Sequence, residues 1–254
     1  MSLHVETAGQ GNPLVMLHGW GMHGGVWGDV ADRLAQEYEV HAVDLPGHGG
    51  STPLDVFALD AVTEALADAY DKPITLLGWS LGGIIAQYWA MRAPETIERL
   101  VLVASTPCFA NRDDWQKGMA RETLERFATD LESDFSATLR RFITLQVRGS
   151  ENERELLAIL REQLFDRREP DPGALHGGLA ILRDADLREG LPHIGQPALV
   201  IAGERDRLTL PEASEYMVRA MPNARMVKIR GAAHAPFLSH PEVFSEHLMR
   251  FLHE

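Results

Sequence analysis

Short apolar runs recur along the chain, each closed by small or polar residues. They are Leu14-Val15-Met16-Leu17, Val40-His41-Ala42-Val43, Ile74-Thr75-Leu76-Leu77, Leu100-Val101-Leu102-Val103, Ala198-Leu199-Val200-Ile201-Ala202 and Met226-Val227-Lys228-Ile229. Most are continuous rather than alternating, which is the pattern of strands covered on both faces. The opening residues around Leu3 to Thr7 predict an edge strand. Helix-like stretches run from Leu81 to Met91, Pro211 to Ala220 and Pro241 to Leu252. Strands alternating with helices predict an α/β fold with a mainly parallel central sheet flanked by helices.

This rhythm breaks between about Arg112 and Asp184. Apolar residues there fall at helical spacing: Leu124, Phe127, Leu131; Leu139, Phe142, Ile143; Leu156, Leu157, Leu160. Pro170, Pro172 and Gly173 interrupt the stretch. It reads as several short helices inserted between strands Leu100–Val103 and Ala198–Ala202. The expected division is a core of residues 1–111 and 185–254 carrying a helical cap of residues 112–184.

A length of 254 residues suits one large domain or a domain with an insertion. No window approaches the roughly 18 consecutive apolar residues of a membrane span. The residues Met1 to Glu6 show no basic start followed by an apolar run, so no secretory signal is expected. Cys108 is the single cysteine, which excludes an internal disulfide. A cytoplasmic protein is the simplest expectation. The net charge of −13 argues against general binding to nucleic acid or anionic membrane. The acidity is uneven. Between Arg112 and Arg168 stand 11 basic and 12 acidic side chains, against 24 and 37 in the whole chain.

Gly78-Trp79-Ser80-Leu81-Gly82 fits G-x-S-x-G, directly follows an apolar run and opens a helix-like stretch. Such a strand–turn–helix projects a serine hydroxyl clear of the sheet, and its glycines admit the neighbouring backbone. A serine hydroxyl needs a base, and the base an orienting acid. On this architecture both follow the serine, each just beyond a strand end. Asp206 follows the fifth long run, in Gly203-Glu204-Arg205-Asp206, and His234 follows the sixth, in Gly231-Ala232-Ala233-His234. Glu204 is an alternative acid. His18, His41, His48 and His240 are alternative histidines, but the first three precede the serine and His240 stands before Pro241 at a helix start. An oxyanion requires two backbone N–H donors. They are expected from Leu81 and from Trp20, in the loop His18-Gly19-Trp20-Gly21. His18 is expected to hold that loop. Asp44, in Asp44-Leu45-Pro46-Gly47-His48-Gly49, precedes Ser80 and is expected to organise its own loop. Cys108 lacks a base partner by position and reads as a small buried residue. No H-E-x-x-H, cysteine pair or nucleotide-binding glycine motif occurs, so neither a metal nor a cofactor is expected.

The run order with Gly78 to Gly82, Asp206 and His234 resembles the α/β-hydrolase superfamily over essentially the whole chain. That resemblance implies a helical cap inserted after the sixth strand. Closer motifs are His18-Gly19-Trp20-Gly21-Met22, Gly78-Trp79-Ser80-Leu81-Gly82-Gly83, Ser105-Thr106-Pro107-Cys108-Phe109, Phe142-Ile143-Thr144-Leu145-Gln146 and His234-Ala235-Pro236-Phe237. Together they resemble the pimeloyl-[acyl-carrier protein] methyl ester esterases of biotin synthesis. The resemblance implies Ser80 as nucleophile, His234 as base, Asp206 as its orienter, and Trp20 and Leu81 as oxyanion donors. It implies that Phe142, Ile143, Thr144, Leu145 and Gln146 line an acyl channel, so that substrate is bound by these with Trp20, Ser80, Leu81 and His234. It implies a partner, an acyl carrier protein, docked by Arg141 and Arg154 and served by a monomer. Ala137 and Ala158 stand where two further family arginines would be. Against docking, the cap arginines would instead pair with Glu151, Glu153, Glu155 and Glu162 on solvated helices. The residues leave two other functions open: a different serine hydrolase, such as a broad short-chain carboxylesterase, and a non-catalytic ligand receptor.

Overall fold

The computed structural model describes residues 2–254. Seven strands form one sheet: β1 (Val5–Ala8), β2 (Pro13–Leu17), β3 (Glu39–Val43), β4 (Ile74–Trp79), β5 (Ile97–Val103), β6 (Ala198–Gly203) and β7 (Ala224–Ile229). Their spatial order is β1-β3-β2-β4-β5-β6-β7. Only β1 runs antiparallel, pairing Val5 with Val43; all other neighbours are parallel. The continuous apolar runs are the reason for the layering. Every residue of β4 and β6 is buried, whereas the edge strand β1 is largely exposed and the edge strand β7 largely half-buried.

The helices are α1 (Gly28–Leu34), α2 (Leu59–Ala67), α3 (Leu81–Arg92), α4 (Arg121–Ser133), α5 (Phe135–Val147), α6 (Glu153–Phe165), α7 (Pro172–Asp184), α8 (Pro211–Ala220), α9 (Pro236–Ser239) and α10 (Pro241–Leu252). α1 and α2 were not among the expected helices. They are short, and neither opens on a side-chain cap. Among the described residues no helix is long and apolar enough to cross a membrane.

Helices α4 to α7 leave from β5, the fifth strand, not the sixth. The amino-terminal edge supplies a single strand, β1, before Gly9 and Gly11 turn the chain into β2 with positive φ. The helical stretch breaks between Phe165 and Pro172, as expected, and Pro172 and Gly173 open the next helix. Pro172 sits in the first turn of α7, where its missing N–H costs nothing, and Asp171 caps that turn by accepting the Ala174 N–H at 3.0 Å.

Hydrogen bonds tie these helices to the sheet layer at several points. The Asp171 N–H donates to Gly47 O at 2.7 Å, and His23 Nε2 lies 2.8 Å from Asp166 Oδ1 beyond α6. Arg167 bridges Glu6 and the buried Asp44, reaching Asp44 Oδ2 at 3.3 Å. Asp44 in turn accepts the N–H groups of Gly24 at 2.6 Å and Gly50 at 2.8 Å, which fixes the two loops beneath α6.

Candidate active site

β4 ends at Trp79 and α3 begins at Leu81, leaving Ser80 alone to make the turn. Its backbone is forced to φ 55° and ψ −116°, a region that costs a side-chain-bearing residue on the order of 1–3 kcal/mol. The surroundings hold it there. The Ser80 N–H donates to Val103 O at 3.0 Å, and Ser80 O accepts from Ser105 Oγ at 2.9 Å. Gln87 braces the same corner, donating from Nε2 to Gly83 O at 3.0 Å and to Thr106 O at 3.2 Å. A methyl group at Gly82 would lie 2.5 Å from Leu17 O, and one at Gly78 would lie 2.3 Å from Gly82 O. The glycines are therefore demanded by backbone approaching from β2 and from the turn itself.

Ser80 Oγ donates to His234 Nε2 at 2.9 Å, and His234 Nδ1 donates to Asp206 Oδ2 at 2.8 Å. Ser80, Asp206 and His234 are all buried, with 4%, 3% and 1% of their surface exposed. Trp79 fixes the histidine loop, because its Nε1 donates to His234 O at 2.8 Å and its ring lies 5.8 Å from the imidazole. Helix α5 holds the other side: the His234 N–H donates to its Gln146 carbonyl at 3.1 Å. Asp206 accepts two backbone donors on Oδ1, Leu208 N at 2.8 Å and Thr209 N at 3.1 Å. The alternative acid, Glu204, points elsewhere and accepts the Gly231 N–H at 3.0 Å.

The loop holding Trp20 lies against the serine. A methyl group at Gly19 would come within 3.2 Å of Ser80 Cβ. His18 sets this loop. Its Nε2 accepts the Leu45 N–H at 2.9 Å, so the ring proton sits on Nδ1 and is donated to Gly19 O at 2.8 Å. Burial, with His48 alongside at 5.2 Å between ring centres, pushes His18 well below the usual histidine range. Leu81, as first residue of α3, has an N–H without an intrahelical acceptor. Trp20 is clamped by α7 and α5: Nε1 donates to Leu175 O on α7 at 2.9 Å, and its ring meets Phe142 edge-on at 4.8 Å.

Of the expected channel residues, Phe142, Ile143 and Gln146 occupy the buried face of α5, and the Gln146 Oε1 has no partner there. Thr144 and Leu145 lie half-buried at its flank, and the Thr144 hydroxyl donates to Arg140 O within its own helix. Arg141 is half-exposed, pairs with Asp130 and lies with its guanidinium 4.7 Å from the Phe127 ring centre. Arg154 is exposed in the first turn of α6. Arg205, in the loop after β6 and not on helices α4 to α7, reaches Glu151 at 3.5 Å. Cys108 is fully buried, accepts from Arg112 Nε at 3.3 Å, and has its thiol pushed up by burial, which disfavours the nucleophilic thiolate. Among the described residues no group of three His, Cys, Asp or Glu side chains is arranged to hold a metal. Sequence reasoning missed the contacts of Ser105, Gln87 and Thr209. Only Thr209 left a signal, standing three residues after an aspartate that closes an Asx-type turn.

A family model described as the alpha/beta hydrolase fold matches residues 12–241. The chain is 47% identical over 243 residues to a pimeloyl-[acyl-carrier protein] methyl ester esterase from Nitrosomonas europaea, covering 96% of each. It is 43% identical to another from Chromobacterium violaceum, covering 98% of each. Among solved structures, an esterase from Exiguobacterium antarcticum superposes with a TM-score of 0.91 at 26% identity, over 99% of this chain and 96% of that one. A bromoperoxidase from Bacillus anthracis superposes with a TM-score of 0.90 at 24% identity, over 99% and 95% respectively, and shows the shared fold.

Proposed function

The chain belongs to the α/β-hydrolase family and, within it, to the pimeloyl-[acyl-carrier protein] methyl ester esterases, and from that membership we propose that it hydrolyses the methyl ester of pimeloyl-acyl-carrier protein. The products are methanol and the free carboxylate on the carrier, a step of biotin synthesis in the cytoplasm. One observation carries the chemistry: the unbroken, buried relay from Ser80 through His234 to Asp206 at 2.9 and 2.8 Å.

In this reading the ester carbonyl sits at Ser80 Oγ. The oxygen attacks as His234 Nε2 takes its proton, and Asp206 stabilises the imidazolium. The N–H groups of Trp20 and Leu81 receive the oxyanion. His234 then protonates the departing methanol. A water, deprotonated by the same nitrogen, attacks the acyl-enzyme and releases the acid. The buried face of α5, with Phe142, Ile143 and Gln146, packs against the acyl chain. The carrier, an acidic protein, meets Arg141 and Arg154 on the outer surface of a monomeric enzyme. These two guanidinium groups act at short range within a net-acidic chain, because screening removes exposed charges beyond about 8–10 Å.

A broad carboxylesterase is the second reading, favoured by the superposition on the Exiguobacterium esterase. Turnover of pimeloyl-acyl-carrier protein methyl ester beside a para-nitrophenyl ester separates the two. Ser80→Ala is expected to remove at least about 10⁴-fold of both activities without unfolding the chain. Reversing Arg141 and Arg154 to glutamate is expected to lower kcat/KM for the carrier-bound ester about tenfold and spare the small ester. If the unaltered protein cleaves only the small ester, the carrier assignment falls and the second reading stands.

A further inference from the structure

Thr209 occupies the loop between β6 and α8 and is 1% exposed. Its hydroxyl donates to Asp206 Oδ2 at 2.7 Å, the same oxygen that receives His234 Nδ1–H at 2.8 Å. The hydroxyl oxygen also stands 3.4 Å from His234 Nδ1. Its backbone N–H meanwhile donates to Asp206 Oδ1 at 3.1 Å, so one residue grips both carboxylate oxygens.

This arrangement has chemical consequences. An ionised carboxylate has about four acceptor sites, and four donors reach it here: Leu208 N–H, Thr209 N–H, Thr209 O–H and His234 Nδ1–H. The two backbone donors fix Oδ1, yet a carboxylate held at one oxygen can still swing the other. The hydroxyl stops that swing. Because its proton is spent on Oδ2, it does not compete as a donor for the imidazole, and Nδ1 is left to carry its own proton. Nε2 is then the free base that faces Ser80 Oγ at 2.9 Å.

We propose that Thr209 is a positioning residue of the active site: its hydroxyl locks the Asp206 carboxylate, and through it the tautomer and orientation of His234. Thr209 touches no reacting atom and acts only through Asp206. The inference rests on Ser80 being the nucleophile, and not on which ester is cleaved.

The test uses a fluorophosphonate that phosphonylates the serine, so no substrate needs to be assumed. Ser80 Oγ bonds to phosphorus, fluoride leaves, and the proton passes to His234. Thr209→Val, nearly equal in volume, is expected to slow the maximal labelling rate about tenfold with the binding constant for the reagent unchanged, the size of one lost hydrogen bond to a charged group. Thr209→Ser restores a hydroxyl and is expected to label within about twofold of the unaltered protein. The low-field proton resonance of His234 Nδ1–H provides a second readout. It should hold its position in Thr209→Ser and move in Thr209→Val, where one donor to Oδ2 is gone. If the valine variant does not fold, Thr209→Ala carries the same expectation. A valine or alanine variant that labels at the unaltered rate with an unmoved resonance overturns the proposal. So does a slow serine variant, because the loss then follows packing rather than the hydroxyl. If the unaltered protein fails to label at Ser80, the nucleophile reading falls and this inference falls with it. Failure to cleave the carrier-bound ester leaves the labelling comparison intact.

Discussion

The indole Nε1 of Trp20 donates to the Leu175 carbonyl at 2.9 Å, tying the loop beside Ser80 to helix α7 of the insertion. The backbone of Trp20 belongs to the proposed oxyanion site, while its side chain makes the contact with α7. Trp20→Phe separates these roles, since it keeps the backbone N–H and most of the ring but removes the tie. The expected result is a fall in kcat of about threefold to tenfold, the worth of one buried hydrogen bond, with the far-ultraviolet circular dichroism spectrum unchanged. An unaltered kcat would show that the loop holds its place without the tie to α7.

The serine turn tolerates no added bulk. Gly82→Ala places a methyl 2.5 Å from Leu17 O and 2.6 Å from His18 O, both main-chain atoms that cannot step aside without moving β2. The variant should lose about 3 kcal/mol in urea unfolding and fall in activity together with stability. A midpoint matching the unaltered protein would mean that β2 shifts freely.

Stability should decline in mild acid. Burial pushes His48 to about 4 and His18 well below the usual value of 6.5, so both rings are neutral in the folded protein. The unfolded chain binds protons near pH 6.5 that the folded chain refuses. Folding is therefore fully supported above pH 6.5, and that support is lost as pH falls from there towards 4. For His48 alone the loss is on the order of 3 kcal/mol, at 1.36 kcal/mol for each pH unit separating the two states. Urea midpoints at pH 7.5, 6 and 5 measure the slope. In His48→Gln the slope should flatten, and an unchanged slope would exclude this ring as the cause.

The arginine bridge offers a test of how the insertion is held. Arg167 joins the far end of α6 to Glu6 and to the buried Asp44. Arg167→Ala leaves Asp44 with its two backbone donors but without the cation. Limited proteolysis should then cut between α6 and α7 about tenfold faster, in line with a loss of about 1–2 kcal/mol from a charged hydrogen bond. Equal cutting rates would show that His23 with Asp166 suffices.

The sheet was legible from apolar patterning alone. Mostly continuous apolar runs call for cover on both faces, and six runs with helices between leave little choice but a parallel layer, of which the last run, β7, is the half-buried edge. The places of Ser80, Asp206 and His234 in the chain were legible too, because each follows a run that ends at the same edge of the sheet. Helices α1 and α2 were not legible, since segments of only 7 and 9 residues owe their form to packing rather than to local preference. The sequence likewise carried no sign that Gln146 O receives the His234 N–H or that Trp20 reaches Leu175, contacts spanning 88 and 155 residues. Hydrogen-bond partners so far apart are selected by how α5 and α7 settle on the core. Thr209 lies between these cases. Its place three residues after Asp206 is local and readable, but only the folded loop decided that its hydroxyl shares Oδ2 with His234 rather than facing solvent.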